Sequence, residues 1–188
     1  MVEKQLSSKG LISELLVAGE ETIIEKYADF ICVKTPKNPE FFWGNYIIFF
    51  APPETKNCNE WAAMFDSVFL TIKEVAHTAM TWDMNNRRFP TKLKKQFEEL
   101  GFEYNESQFL TLTEEIVPSV PAIDFNIKEI EADSDWDAVI NLQLRTSVNY
   151  NPSAIVPVLE KRFRQYRKMT LRKMGVWLGA FYGRSVNW

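Results

Sequence analysis

The run Asn45-Tyr46-Ile47-Ile48-Phe49-Phe50, followed at once by Ala51-Pro52-Pro53, constrains the fold more than any other stretch of this chain. A near-continuous apolar run of this length predicts a strand buried on both faces, and so a central one. The two prolines, which lack a donor for a strand ladder, stop it. A second β-like run, Ala28 to Val33, precedes it, and the segment TPKNPEFFWG with Pro36 and Pro39 joins the two as a loop with an aromatic exit. Upstream, Leu15, Leu16, Ile23 and Ile24 predict a helix over Ser13 to Lys26, weakened by Gly19. Downstream, Trp61, Met64, Phe65 and Phe69 form one face of a helix from Asn59 to Phe69, with Asn57 or Asn59 as its cap. VAHTAMTW, Val75 to Trp82, alternates as a strand. Thr91 to Leu100 reads as a helix closed by Gly101, and Gln108 to Ile116 as another alternating strand.

Pro118 and Pro121 in IVPSVPAID mark a linker, after which a new pattern begins. Phe125 to Glu131 predicts a strand. Ser134 with Asp137 resembles a capping box opening a helix through Leu144. A longer helix runs from about Pro152 to Lys173, with Pro157 placed in its first turn or delaying its start. Val176 to Tyr182 predicts a last strand. The fold class is α+β, a mixed, mostly antiparallel sheet with flanking helices, in two modules at 1–120 and 121–188.

With 188 residues, 46% apolar and 25% charged, a buried core needs no metal or disulfide. The two cysteines, Cys32 and Cys58, have no zinc-like spacing, so the expectation is reduced thiols in the cytoplasm. No window approaches the about 20 apolar residues of a membrane span. A net charge of −3 carries no overall bias toward nucleic acid. His77 is the sole histidine, which excludes a multi-histidine metal site, and no metal is expected. GxGxxG, GxxxxGK[ST], HExxH and GxSxG are all absent.

The segment Lys92 to Glu114, with Phe97, Leu100, Gly101 and Phe102 at its helix-to-strand turn, resembles the C-terminal end of a domain of the GNAT acetyltransferase superfamily. Phe102 would start a closing strand packed back on the helix. In the same resemblance NYIIFF is the central strand before the cofactor loop, and Asn59 to Phe69 is the helix after it. Phe125 to Tyr182, ending in GVWLGAFYG, is similar to the opening half of a second such domain, which stops at GRSVNW before its own loop. The family implies acyl transfer from acetyl-CoA to an amine. Its loop carries glycines that let backbone N–H groups reach the cofactor's pyrophosphate. Here that place reads APPETKNCNEW, with no glycine, two prolines and Glu54. The chain is therefore expected to be impaired or inactive, with Lys56, Asn57 and Asn59 left to receive an anion. A non-catalytic binding or dimerisation module on the same scaffold is the alternative, paired through the open sheet edge to a second copy or to a missing C-terminal part.

No residue is assigned a catalytic role. Trp43 and Asn45 stand where a loop enters the central strand, and His77 and Asp83 lie in and after the strand that follows. These are the candidate substrate-binding residues, each with a structural alternative: packing for Trp43, a hydrogen-bonded histidine for His77, a helix-capping carboxylate for Asp83. Lys161, Arg162, Arg164, Arg167, Lys168, Arg172 and Lys173 form a basic face on the long helix, read as solvated or as recognising an acidic partner or phosphate.

Overall fold

A computed structural model describes residues 5–52, 58–72, 74–84, 88–111, 126–147, 151–182 and 185–187. The chain divides into two units, Met1–Thr111 and Leu112–Trp188. Pro118 to Ile123, where the sequence places the boundary, lies outside the described residues.

In the first unit the elements are α1 (Lys9–Leu16), β1 (Ile23–Lys26), β2 (Phe30–Lys34), a 3-10 turn (Phe42–Gly44), β3 (Tyr46–Phe49), α2 (Cys58–Phe69), β4 (Met80–Trp82) and α3 (Thr91–Glu99). The sheet order is β1-β2-β3-β4. The first three strands are antiparallel, and β4 returns parallel to β3 after the α2 crossover, so the sheet is mixed. Period-two alternation sorts the side chains onto two faces. Ile31, Val33, Tyr46, Ile48 and Phe50 pack with Leu11 of α1 on one face. Phe30, Cys32, Ile47 and Phe49 pack with Phe65 and Phe69 of α2 on the other. Ile47 and Ile48 are each fully buried, and each such burial stabilises by about 1.5–3 kcal/mol.

Three local expectations are corrected. Ser13 to Lys26 is not one helix: α1 ends at Leu16 and β1 begins at Ile23. Gly19 between them takes φ 85°, a left-handed value no helix admits, and turns the chain back onto β2. The strand expected at Val75 to Trp82 is only Met80–Trp82, so His77 lies before the strand, not in it. Phe102 to Thr111 forms no strand, and the rest of the strand expected at Gln108 to Ile116 lies outside the described residues. The segment's start folds back on α3: Phe102 meets Phe97 edge-on at 5.4 Å. Phe109 lies so closely over Gly10 of α1 that an added Cβ would meet its ring at 1.9 Å. Gly101, at φ 86°, makes the turn out of α3.

The second unit contains β5 (Asn126–Glu129), α4 (Asp133–Thr146), α5 (Pro152–Leu171), β6 (Leu178–Tyr182) and β7 (Ser185–Asn187), with an antiparallel sheet ordered β5-β6-β7. Trp136, Val139, Leu159 and Phe163 of the two helices pack with Ile130 and Trp177. The capping residue of α4 is Ala132, not Ser134. Asp135 in the first turn supplies the reverse half of a capping box. It accepts from Lys128 Nζ at 2.8 Å and reaches back to the Ala132 and Glu131 N–H groups; the lysine first, and these N–H groups after it, hold its carboxyl below the usual range. Asn151 caps α5 through its side chain, with Pro152 at the first helical position; Pro157 therefore sits inside the helix rather than starting it.

Candidate functional site

The candidate residues fall at opposite ends of the first unit's sheet. Trp43, Asn45 and His77 gather at the N-terminal ends of β3 and β4. Asp83 and Asn59 lie past the C-terminal ends. Lys56 and Asn57 are outside the described residues.

At the N-terminal end the loop from Thr35 to Asn45 must turn back into β3 within a few residues, and a single buried amide makes this possible. Asn45 has no solvent exposure. Its Oδ1 accepts from Thr35 N at 2.9 Å, and its Nδ2 donates to the Asn38, Pro39 and Phe41 carbonyls at 3.0, 3.2 and 3.0 Å. Thr35 Oγ1, also buried, donates to Gly44 O at 2.9 Å. Gly44 is required here by space, because a Cβ would stand 2.4 Å from the Phe41 ring. The amide of Asn45 is thus committed to the loop's own backbone and does not face a ligand.

The turn this network holds carries Phe42 and Trp43 outward, 45% and 57% exposed. Their rings are perpendicular, 5.1 Å apart at the centroids, and Trp43 is again perpendicular to Tyr46 at 5.9 Å. His77 packs its ring on Phe42 at 5.0 Å and its Nε2 against Asn45 O at 3.2 Å. Burial pushes the His77 imidazole below its ordinary value, outweighing backbone carbonyls that favour its charged form. Tyr46 is pushed up to about 12, by burial first and by the nearby Glu14 carboxylate second.

The neutral His77 has a measurable consequence. Its pKa in the folded chain is below the unfolded value of about 6.5, so between the two the unfolded state binds more protons. Stability is present above pH about 6.5 and is drawn down as pH falls below it. As the sole histidine, its ring protons are assigned without ambiguity in an NMR titration, and the midpoint is expected below 6.5. A midpoint at or above that value would reject the buried neutral ring.

At the other end, β3 runs out at Phe49 and α2 begins at Cys58. Cys58 turns inward against Leu93 and Phe97 of α3, with Met80, Trp82, Phe89 and Phe102 around them. Trp82 lies 5.4 to 6.1 Å from the rings of Phe89, Phe97, Phe49 and Trp61, and its buried indole N–H has no hydrogen-bond partner among the described residues. Asn59 is exposed on the outer side of the first turn of α2. Cys32 and Cys58 are both buried thiols; burial raises the first to about 12 and raises the second as well. Neither has the character of a nucleophile.

Asp83 is 2% exposed. Its backbone N–H donates to Phe49 O at 3.0 Å, extending the β3–β4 pairing. Its carboxylate accepts from the Ser7 and Ser8 N–H groups, the latter at 2.9 Å, and from Ser7 Oγ at 3.0 Å. It thereby ties down the start of α1, an acid at a helix N-terminus where the dipole favours it.

Sequence reasoning singled out Trp43 but not Phe42, its perpendicular neighbour, nor Thr35 and Asn38, buried members of the same loop. The one signal for them was the aromatic exit of the proline-containing loop. Among the described residues no group of His, Cys, Asp and Glu could hold a metal ion, and no helix is long and apolar enough to cross a membrane. Comparison of this chain with family models, with curated proteins and with solved structures returned no match.

Proposed function

We propose that the first unit is an acetyltransferase-like module of the GNAT type with a closed cofactor end, impaired in or incapable of acetyl transfer by itself. One observation carries the reading. β3, α2 and β4 form a parallel crossover that sets the first turn of α2 beyond the strand ends, where backbone N–H groups could receive a phosphate. The surroundings oppose it. No glycine lies between Ala51 and Trp61, Pro52 and Pro53 lack donors, and Glu60 places an acid in the first turn. Beneath that turn, Cys58, Leu93 and Phe97 are packed and nearly dry.

In the family's chemistry an amine nitrogen attacks the thioester carbonyl, CoA leaves as the thiolate, and a base takes the amine proton. The buried acid at this end, Asp83, is engaged with Ser7 and Ser8 and is not assigned that role. Calorimetric titration of the full chain with acetyl-CoA tests the reading. No saturable heat is expected up to about 1 mM; micromolar affinity would overturn it.

A second reading, a non-catalytic binding or dimerisation module, is favoured by the second unit's sheet. The face opposite Phe181 and the helices exposes Ile127, Val176 and Leu178 at 68%, 60% and 62%. The strand expected to be the open edge, Val176 to Tyr182, is central among the described residues, because β7 pairs outside β6.

A further inference from the structure

We propose that the end of α5 and the turn after it, Arg164 to Met174, dock on an anionic phospholipid surface. Leu171 and Met174 enter the interface, and Arg164, Lys168, Arg172 and Lys173 meet the lipid phosphates. This does not rest on the acetyltransferase reading.

The covalent chain itself brings these groups together. Arg164, Lys168 and Arg172 recur every four residues and form one stripe, with Leu171 three residues from Lys168 on the same side. All four are exposed. The helix then closes in a tight turn. Met174 N–H donates to Met169 O at 3.0 Å, and Lys173 N–H to Thr170 O at 2.9 Å. These bonds hold Leu171, Arg172, Lys173 and Met174 as one knuckle at the helix end. Leu171 is 73% exposed there, and Met174, at a position that commonly packs back on its helix, is 56% exposed.

Stability alone does not ask for this composition. Cations in a last turn answer the helix dipole, but exposed leucine and methionine do not. Lys173 sits at φ 58°, in the left-handed region where glycine is free of strain, so a cation is kept at the tip against backbone preference. Apolar tips set among cations fit a lipid interface, which offers phosphates outside and acyl chains roughly 5–10 Å deeper. A nucleic acid would use the cations and leave Leu171 and Met174 in water. The single acid of α5, Glu160, lies one turn before Arg164. Arg162 donates to Tyr166 Oη and Arg167 pairs with Asp133, so these two cations serve the unit's own packing. The surface ends before β6, where the register sets Glu129 across from Leu178.

The experiment is co-sedimentation of the full chain with vesicles of phosphatidylcholine containing about 30% phosphatidylserine. Saturable binding is expected, at least about tenfold tighter than to phosphatidylcholine alone and weakened as salt is raised. Leu171→Ser should weaken it about tenfold, and Arg172→Gln about fivefold. Lys173→Gly separates docking from folding: it should bind about fivefold more weakly yet melt no lower than the parent, because glycine suits the left-handed turn. Leu70→Ser, at a 76% exposed apolar side chain of the first unit, should bind as the parent does. The substituted side chains are all exposed, and a two-dimensional amide spectrum of each variant shows that its fold is kept. No binding to the anionic vesicles, equal binding to phosphatidylcholine alone, or parental binding by Leu171→Ser would each overturn the proposal. So would tighter binding to a DNA duplex that Leu171→Ser leaves unchanged.

Discussion

Asn45→Ala is expected to destabilise the first unit by about 3 kcal/mol, through the loss of one fully buried, hydrogen-bonded amide. The substitution removes the acceptor for the buried Thr35 N–H and the donor for three carbonyls of the same loop. A donor left unpaired in a dry site costs about 1–3 kcal/mol by itself, and the loop carbonyls add to it. For a unit of this size the melting midpoint should fall by about 10–20 °C. Asn45→Asp should be worse than alanine despite its similar shape. It retains the acceptor but sets a carboxylate against the Asn38, Pro39 and Phe41 carbonyls. Urea denaturation measures the loss, and hydrogen exchange at Thr35 locates it. A variant with parental stability and a still protected Thr35 N–H would show that the loop does not depend on this amide.

Asp83→Ala should cost about 2 kcal/mol, with the effect localised at the far end of the same sheet. Its carboxylate joins the end of β4 to Ser7 and Ser8 at the start of α1. Without it the Leu6, Leu11 and Leu15 side chains, which cover Ile31, Val33 and Ile48, are held by apolar contact alone. Hydrogen exchange should rise first in Lys9–Leu16, while the β2–β3 amides keep their protection. Asp83→Asn should fall between parent and alanine, because the amide oxygen still accepts but carries no charge for the helix dipole. Uniform loss of protection across the sheet would place Asp83 in the global core instead of at a clamp.

These two residues illustrate where the sequence is readable. Both were singled out by position, Asn45 at the start of a strand and Asp83 after one, and the helix-capping alternative for Asp83 names the kind of contact it makes. What position could not supply is the partner. Ser7 is seventy-six residues from Asp83 in the chain, and no local pattern ties them together. His77 shows the opposite fault: alternation in VAHTAMTW suggested a strand through it, but the backbone bonds to β3 begin only at Ala79, two residues later. Strand propensity is expressed only where a partner's backbone is in register.

By itself the sequence determined the doubly buried β3, the helices α2, α3 and α5 to within a few residues, and the turn at Gly101. Those depend on period, on proline and on glycine, all of which act over one or two turns of chain. It also determined that the place after β3 holds no glycine. Tertiary structure alone decided that β1 splits off from α1, that β4 is short and parallel, and that Phe102 to Thr111 returns without forming a strand. It alone decided that Trp43, Asn45 and His77 meet at one end of the sheet while Asn59 and Asp83 lie at the other. The reason is physical: strand pairing and side-chain contact are long-range and depend on which backbone comes alongside, whereas capping, turning and amphipathic period are settled within a few residues.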